Sequence, residues 1–299
     1  MRPNGSRSSR RSSRAPGGRS AVAGLLAALA TVASPGALAA QTGFHFPGDR
    51  NEGIPVSMFG TSIRSGELLV YPFYEYYLDD DAEYSPDEFG YGLDQDFRAP
   101  SRGHEFLIFV GYGVSDRLAL EFEAALYTSQ WQDRAPDDPT GVPDRIEESG
   151  LGDVEGQVRW RWRKESDGGP GVFSYFEYVL PLQKDELLIG TADWEFKFGT
   201  GLVREFPIGT MTIRLAAEYD GEEGDVAAGE YAVEYLKRVL PSVRLYAGIE
   251  GSEDEVEFIP VVLWSPWPRV ALHLNSAFGL TSKAAGWAPE IGVMFTFGR

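Results

Sequence analysis

The C-terminal stretch of this chain alternates between two kinds of residue. One set of alternate positions is aromatic, branched or proline: Trp287, Pro289, Ile291, Val293, Phe295 and Phe297. The other set is mostly small or polar: Ala288, Glu290, Gly292, Met294, Thr296 and Gly298. A period of two predicts a β-strand with one apolar face.

The same alternation recurs along most of the chain and predicts twelve strands. They are expected near residues 66–78, 103–114, 117–129, 152–164, 171–182, 191–205, 209–220, 228–238, 242–251, 254–264, 269–280 and 287–298. An even number of antiparallel strands is typical of a bacterial outer-membrane barrel. The predicted fold is therefore all-β: a single antiparallel up-and-down transmembrane β-barrel of about twelve strands, closed by pairing of the last strand with the first.

The second face of many predicted strands carries charges. A soluble β-sandwich would bury the apolar face in a shared core, whereas a membrane barrel turns it to lipid and places the charges in the lumen. Alternation alone does not separate these folds. On the barrel interpretation the lumen-lining candidates are Glu121, Glu123, Glu155, Arg159, Arg161, Lys197, Arg214, Glu218, Glu234, Arg244, Glu257, Arg269, His273 and Glu290.

The connections between predicted strands alternate in length. Short turns are expected near 114–116, 166–170, 207–209, 240–241 and 265–268, and longer polar loops near 79–102, 130–150, 183–190 and 220–227. Short periplasmic turns and longer outer loops are the asymmetry of outer-membrane barrels. Tryptophans near strand ends, where aromatic girdles lie at membrane interfaces, favour the same fold: Trp131, Trp194, Trp264, Trp267 and Trp287.

The first 40 residues differ from the rest. Six arginines and no acidic residue precede or flank a short apolar run at 21–33, and Ala37-Leu38-Ala39 has the A-x-A cleavage pattern. This combination predicts a secretory signal peptide at 1–40. Residues 41–65 are then expected to be a periplasmic N-terminal lead-in, and 66–299 the outer-membrane barrel.

Charge and cysteine content exclude several classes of protein. Without the signal's six arginines, 21 basic residues stand against 45 acidic ones, a net charge of −24. Such a balance argues against nucleic acid, which selects basic surfaces. There is no cysteine, so no disulfide and no cysteine-linked lipid are expected. No stretch after the signal is apolar enough for a transmembrane helix, which leaves a periplasmic soluble protein or a barrel.

Four short motifs, in this order, resemble a known family. They are Tyr112-Gly113-Val114-Ser115-Asp116-Arg117-Leu118, Ser149-Gly150-Leu151-Gly152-Asp153-Val154, Pro181 followed by Ile189-Gly190-Thr191, and Pro289-Glu290-Ile291-Gly292-Val293-Met294-Phe295. Over about residues 66–298 the chain resembles outer-membrane barrels annotated after the MetA pathway of phenol degradation, often described as transporters. The resemblance implies an outer-membrane barrel that passes small or hydrophobic molecules, and it carries no catalytic residues over. One departure is that Gly298-Arg299 follows Phe297, where barrel assembly signals usually end on the aromatic residue.

Motifs that would indicate enzyme chemistry are weak. Gly150-x-Gly152-x-x-x-Gly156 approximates a dinucleotide fingerprint, but a strand rather than a helix follows it, so no cofactor is expected. The histidines, His45, His104 and His273, show no metal-pair spacing. A membrane hydrolase would need His273 with Ser276 or Ser282, yet His273 and Ser276 are three residues apart on a strand and point to opposite faces.

Acidic residues crowd the first long loop. They are Asp79, Asp80, Asp81, Glu83, Asp87, Glu88, Asp94 and Asp96. Clustered carboxylates suit calcium, but the spacing is not that of an EF-hand loop, and solvated acidic runs are common. No metal site is therefore predicted, and calcium binding by this loop stays open.

The sequence predicts a passive, porin-like outer-membrane channel for a small solute, hydrophobic or aromatic solutes included, and no enzyme. The expected partners are outer-membrane lipid, the barrel-assembly machinery and the solute. The excess of lumenal acid predicts a weak cation preference. The alternatives are a non-conducting structural or surface-binding barrel, a membrane hydrolase and a soluble periplasmic β-sandwich; the oligomeric state stays open.

Overall fold

The structure, a computed structural model, describes residues 53–56, 60–221, 224–252 and 255–298. The expected signal peptide and the start of the expected lead-in lie outside the described residues. The strands are β1 Ile54–Pro55, β2 Ser62–Ile63, β3 Leu68–Tyr84, β4 Phe97–Gly113, β5 Leu118–Asp133, β6 Arg145–Gly150, β7 Val154–Arg163, β8 Gly171–Val179, β9 Glu195–Phe206, β10 Gly209–Asp220, β11 Asp225–Leu240, β12 Val243–Ser252, β13 Glu255–Trp267, β14 Val270–Gly279 and β15 Ala288–Phe297. A single 3₁₀ turn, Glu165–Asp167, lies among the described residues. None of the described helical segments has the length and apolarity needed to cross a membrane.

Strands β3 to β15 form one closed antiparallel barrel. Consecutive strands pair with each other, except β6 with β7, and β15 pairs with β3, with Phe297 opposite Leu68 and Glu290 opposite Glu75. Strands β6 and β7 both pair with β5 and together occupy one barrel position, interrupted at residues 151–153. The barrel therefore has twelve strand positions, and the sequence prediction of a twelve-stranded barrel is confirmed.

Alternation along each strand separates an outer apolar face from an inner face. In β15, Ile291 and Phe297 are about half exposed, at 53% and 51%, while Met294 between them is fully buried. Because the sheet is a single layer, exposed side chains lie outside the barrel and buried ones inside it. An outward apolar band is the surface that lipid requires.

The two ends of the barrel differ. One end, here called the turn end, carries connections 114–117, 164–170, 207–208, 241–242 and 268–269. The opposite loop end carries 85–96, 134–144, 180–194, 221–224 and 280–287. This asymmetry agrees with the predicted alternation of short turns and long loops.

The first loop is shorter than the sequence predicted. Strands β3 and β4 continue pairing to Tyr84 and Phe97, beyond the expected ends at 78 and 103. Arginines on β4 make ion pairs to the acidic run on β3: Arg98 contacts Asp81 and Glu83, and Arg102 contacts Asp80. Opposite charges across the two strands stabilise this ladder at positions where the acidic run predicted a loop.

The described part of the expected lead-in lies inside the barrel. We call residues 53–56 and 60–66 the inner segment. Its strands β1 and β2 pair with each other, and Ile54, Val56 and Ile63 are buried in the main apolar cluster of the barrel interior. Burial of these apolar side chains against the barrel wall stabilises the segment in this position.

The inner segment spans the barrel near the turn end. On one wall, the Arg161 guanidinium donates to the carbonyl of Gly53, and a β-carbon built at Gly113 would lie only 1.9 Å from the Arg64 carbonyl oxygen. On the opposite wall, Gly60 packs against the side chains of Leu236 and Tyr246. Glycine at position 113 thus permits the close approach of the two backbones.

The loop end has its own small apolar cluster. Its buried members are Tyr84, Phe89, Phe97, Ala99, Ala135 and Val142. The Tyr84 hydroxyl donates to Asp138 Oδ2 at 2.9 Å and accepts from the Ala135 amide at 2.8 Å. The first two loops of the loop end are therefore packed together as one folded unit.

Candidate functional site

Glutamates stand directly opposite one another on neighbouring strands of the barrel interior. Glu290 on β15 pairs in register with Glu75 on β3, which in turn pairs with Glu105 on β4. Glu123 on β5 faces Glu155 on β7 in the same way. Like charges directly opposite in a sheet are destabilising. Ionised glutamates in this arrangement lower the stability of the folded barrel. An interior selected for stability alone would not place them opposite one another.

Arg214 is the centre of an ion-pair cluster with three glutamates. Its Nη1 lies 2.6 Å from Glu230 Oε1, its Nε 2.9 Å from Glu234 Oε1, and its Nη2 2.8 Å from Glu250 Oε1. The neighbouring Lys197 Nζ lies 3.6 Å from Glu230. One guanidinium with five fixed donors can satisfy several carboxylates at once, which a lysine ammonium cannot match in geometry. The cluster links strands β9 to β12.

Arg159 is buried in the interior on strand β7, three strand positions from Arg214. Its Nε lies 3.1 Å from Glu121 Oε1, and its guanidinium carbon lies 5.3 and 4.8 Å from the ring centres of Phe173 and Tyr175. Gln157 Oε1 accepts a hydrogen bond from the same guanidinium at 2.9 Å. Ion pairing and cation–π contact together hold this charge in the interior.

His273 forms a buried cluster with a tyrosine and a glutamate. Its Nδ1 lies 2.9 Å from the Tyr71 hydroxyl and 3.3 Å from Glu290 Oε1, and Tyr71 donates to Glu290. Ser276 is on the outer face, where its hydroxyl accepts from the Trp287 indole at 2.7 Å. His273 and Ser276 are thus on opposite faces, as the strand geometry predicted, and they do not form a hydrolase pair.

Two small cavities adjoin these charges. One, of about 170 Å³, lies towards the loop end and is lined by Glu155, Glu177, Lys197 and Glu218 among others. The other, of about 490 Å³, lies at the turn end and is lined by residues 205–210, 236–238 and 244. Since Leu236 also contacts Gly60, the second cavity lies immediately beside the inner segment.

The structure places thirteen of the fourteen predicted lumen residues on the inner face of the barrel. These are Glu121, Glu123, Glu155, Arg159, Arg161, Lys197, Arg214, Glu218, Glu234, Arg244, Glu257, His273 and Glu290. Whether they line a conducting path is a separate matter and stays a proposal.

Arg269 is the exception and corrects the sequence prediction. It lies exposed in the turn between β13 and β14, with a φ of 67°. The two-residue connection at 268–269 needs a residue in the left-handed backbone conformation, which Arg269 adopts. Arg269 therefore belongs to the turn, and β14 begins only at Val270. Its side chain therefore belongs to the turn end and not to the interior.

Sequence reasoning missed the aromatic side chains of the interior. They include Tyr71, Phe73, Phe109, Phe173, Tyr175 and Tyr246. A signal was present, because 68–74 is apolar at every position rather than at alternate ones. A strand that is apolar on both faces indicates burial on both sides, and here the inner segment covers the inner face.

Three acidic residues of the predicted first loop, Asp80, Asp81 and Glu83, have arginine or lysine partners. Besides its contact with Arg98, Glu83 lies 3.5 Å from the buried ammonium of Lys283. Across the described residues, no group of three or more histidine or acidic side chains is arranged to hold a metal ion.

Comparisons with known proteins agree with this architecture. No family model and no curated protein matches the chain. Among solved structures, the COG4313 outer membrane channel from Pseudomonas putida F1 matches with a TM-score of 0.54 and 13% identity, over 85% of this chain and 100% of that one. The chain therefore has the fold of an outer-membrane β-barrel.

Two other solved structures match less closely. The KdgM porin in complex with disordered oligogalacturonate has a TM-score of 0.48 and 7% identity, over 77% of this chain and 99% of that one. Outer membrane phospholipase A from Escherichia coli has a TM-score of 0.42 and 13% identity, over 78% and 90%. None of these matches confirms the resemblance to the outer-membrane barrels that are annotated after the MetA pathway of phenol degradation.

Proposed function

We propose that this protein is a porin-like channel of the outer membrane that passes a small solute by diffusion. The observation that carries the proposal is the charged inner face of a closed barrel whose outer face is apolar. Buried charges are costly unless paired or hydrated, and the described interior holds many more carboxylates than bases. Hydration of the unpaired carboxylates in a water-filled passage accounts for that excess.

The orientation follows from the two ends of the barrel. In outer-membrane barrels the short turns face the periplasm and the long loops face outwards. We therefore assign the turn end to the periplasm and the loop end to the cell surface, with outer-membrane lipid around the apolar band. Insertion would depend on the barrel-assembly machinery, as for other barrels of this architecture.

For a solute that crosses the barrel, the narrowest part of the path is at the turn end. The inner segment occupies the barrel there, and the cavity of about 490 Å³ beside it is the space left near the wall of β10 to β12. A solute either passes through this cavity or follows displacement of the segment. The aromatic side chains around the segment are compatible with hydrophobic or aromatic solutes, the classes that the MetA-pathway resemblance suggests.

The proposal is tested by reconstitution. The purified protein, first shown to be folded by a heat-modifiable shift on gels, is incorporated into liposomes and into planar bilayers. We expect swelling with small sugars or aromatic acids and discrete single-channel currents in KCl. Protein-free liposomes and heat-denatured protein are the controls.

The opposite result would favour a second function. Folded protein that gives neither swelling nor current would indicate a non-conducting structural or surface-binding barrel. The Arg214 cluster and the inner segment are the features that favour that alternative, because both fill interior volume. A hydrolase is not favoured, since Ser276 lies on the outer face away from His273.

A further inference from the structure

The barrel wall is interrupted near the loop end. Strand β6 pairs with β5 along one edge and with no other described strand, and β7 starts only after residues 151–153, here called the break. Beyond the break, β8 ends at Val179 and β9 begins at Glu195, its partner in register. The free edge of β6 therefore has the loop 180–194 beside it, and not a neighbouring strand.

One side chain of this loop bridges the break. The side-chain nitrogen Nε2 of Gln183 donates to the carbonyl oxygens of Leu151 and Gly152, each at 2.9 Å. Gly190 packs against the same side chain with a φ of 68°, and a β-carbon at Gly190 would lie 2.5 Å from Cγ of Gln183. The buried amide of Gln183 therefore binds backbone acceptors that a neighbouring strand would otherwise satisfy.

A second side chain holds the middle of the loop. Glu148 of β6 accepts hydrogen bonds from the backbone amides of Leu187 at 2.9 Å and of Leu188 at 2.7 Å. Ile189 is buried against Gly150, where a β-carbon would lie 3.4 Å from Cδ1 of Ile189. Because side chains make these contacts, the loop can move away from β6 without the separation of two paired strands.

An interior cavity lies directly behind the loop. The cavity of about 170 Å³ is bordered by Thr191 of the loop, by Val179 at the end of β8 and by Phe196 near the start of β9. The carbonyl oxygen of Thr191 accepts from the backbone amide of Gln183 at 3.2 Å. The residue that bridges the break is therefore bonded to a residue of the cavity wall.

The outer surface around the loop is apolar and aromatic. Leu151 at the break and Leu182 and Leu187 of the loop are exposed. The exposed Trp194 ring stacks on Phe196, with 5.7 Å between the ring centres, and Phe196 also borders the interior cavity. An apolar outer surface and a charged interior cavity therefore meet at this one loop.

The height of the break corresponds to the outer leaflet. Strand β8, Gly171–Val179, has nine residues. At about 3.3 Å per residue and a tilt of about 40°, such a strand rises roughly 23 Å from the turn end, and the apolar band of an outer-membrane barrel is about 25 Å tall. The exposed Trp194 beside the break agrees with the level of an aromatic girdle. With the turn end in the periplasm, this level is the lipid of the outer leaflet.

We propose that the loop 180–194 is a lateral gate through which small amphipathic aromatic solutes pass between the outer leaflet and the barrel interior. This inference rests on the proposed channel function and gives it a route and a solute class. The apolar body of such a solute fits the exposed leucine and aromatic side chains on the lipid side. Its hydroxyl or amino group gains hydrogen-bonding partners in the cavity, where Glu177, Glu218 and Lys197 lie, and a polar group in lipid lacks such partners.

The test locks the loop to β6. The chain has no cysteine, so Glu148→Cys with Leu187→Cys places one thiol on each side of the free edge. A short bis-methanethiosulfonate joins the two thiols through disulfides that a reductant reverses. The matched control is Arg134→Cys with Asp144→Cys, since these residues are already joined by a backbone hydrogen bond of 3.0 Å in another loop of the same end.

The probe is N-phenyl-1-naphthylamine, an aromatic amine whose fluorescence rises in an apolar environment. It is added to intact cells that carry each variant in the outer membrane, and cells without the protein give the background. Cross-linking Glu148→Cys to Leu187→Cys should remove most of the protein-dependent initial rate of uptake, and reductant should restore it. Cross-linking the control pair should leave the rate unchanged.

A single substitution tests the gate in the opposite direction. Gln183→Leu removes both hydrogen bonds across the break with little change in side-chain size, so we expect faster uptake of the probe. Gln132→Leu is the control, because this buried glutamine also donates to backbone carbonyls, those of Ala99 and Asp133, away from the break. Equal rates in the two variants would contradict the assigned role of Gln183.

Ion current and liposome swelling with small sugars separate this inference from the proposed function. Both should be unchanged by the cross-link, because the gate opens to lipid and not to the aqueous path. A conducting wild-type protein that does not raise probe uptake, an uptake rate that the cross-link leaves unchanged, or a cross-link that blocks sugars and probe together would overturn the lateral gate and leave the channel standing. Folded protein that gives no current, no swelling and no uptake would overturn both.

Discussion

At the scale of single residues, Arg214 is the side chain whose loss should cost most. Its guanidinium is buried and contacts three carboxylates at 2.6–2.9 Å. Arg214→Met keeps the length of the side chain but leaves those charges without their main partner, and breaking a buried ion pair costs about 3–5 kcal/mol. We expect a loss of that size in the free energy of unfolding, measured by urea denaturation in detergent micelles.

Arg204→Met is the matched control. Arg204 is 47% exposed and lies 3.7 Å from Glu165, and surface pairs of that kind contribute about 0–1 kcal/mol. Adding Glu250→Gln to Arg214→Met should recover part of the lost stability, because one uncompensated charge is then removed. Equal losses in the two single variants would refute the assigned role of Arg214.

The residue scale also separates what alternation can predict from what it cannot. Glu290 and Met294 were assigned to one face and Ile291 to the other, and the structure places them so, because pleating alone decides the face. Arg269 was misplaced, since the end of a strand depends on turn geometry that a period of two does not contain. The partner of a lumenal charge, such as Arg214 for Glu230, depends on strand register and was not predictable from either strand.

At the scale of structural elements, the first two outer loops form a folded unit around Asp138. Burial opposes ionisation of its carboxyl, but hydrogen bonds from Thr140 and from the Tyr84 hydroxyl outweigh burial and, with the nearby Arg134, lower the pKa of Asp138. A carboxyl with a lowered folded-state pKa stabilises the fold above its unfolded pKa, which is about 4. That contribution is lost as the pH falls through the folded-state value.

Asp138→Asn should therefore loosen the loop 134–144 at neutral pH, and its difference from wild type should become smaller as the pH is lowered towards 3. The measurement is amide hydrogen exchange by mass spectrometry, corrected for the intrinsic rate at each pH. Asp137→Asn is the control, since this neighbouring acid is exposed. A difference between the Asp138 variant and wild type that is undiminished at pH 3 would argue against this account.

The loop elements were also where the sequence was least informative. The acidic run 79–83 suggested a solvated loop, yet it lies on β3 because Arg98 and Arg102 stand opposite on β4. These ion pairs join residues about 20 positions apart, so the local sequence preference of either segment does not predict them. The turns were easier, because a two-residue connection such as 207–208 leaves little choice of geometry.

At the scale of the whole molecule, the inner segment fills part of the barrel interior near the turn end. Twelve strands lie between barrels of about 8, which side chains fill, and those of 16 to 18, which are open. The number of strands therefore does not decide how wide a passage through this barrel is. That width depends on which side chains and segments fill the interior. The sequence predicted the barrel wall correctly but gave no signal that part of the expected lead-in packs inside it, because a short Gly- and Pro-containing stretch has no periodic pattern and its apolar partners are distributed over distant strands.

Weakening the hold of the inner segment should therefore widen the pore. Ile54 and Ile63 are fully buried in the cluster that includes Tyr71, Phe109 and Met294, and Ile54→Asn with Ile63→Asn places two amides in an apolar environment, which costs about 1–3 kcal/mol each. We expect a higher single-channel conductance and liposome swelling with larger sugars than wild type passes. Val114→Asn with Leu240→Asn makes the same chemical change at turn-end positions that are 44% and 55% exposed and should leave conductance unchanged. Unaltered conductance in a folded Ile54/Ile63 variant would mean that the permeation path runs beside the segment, through the cavity at β10 to β12, and that the segment is a fixed part of the wall.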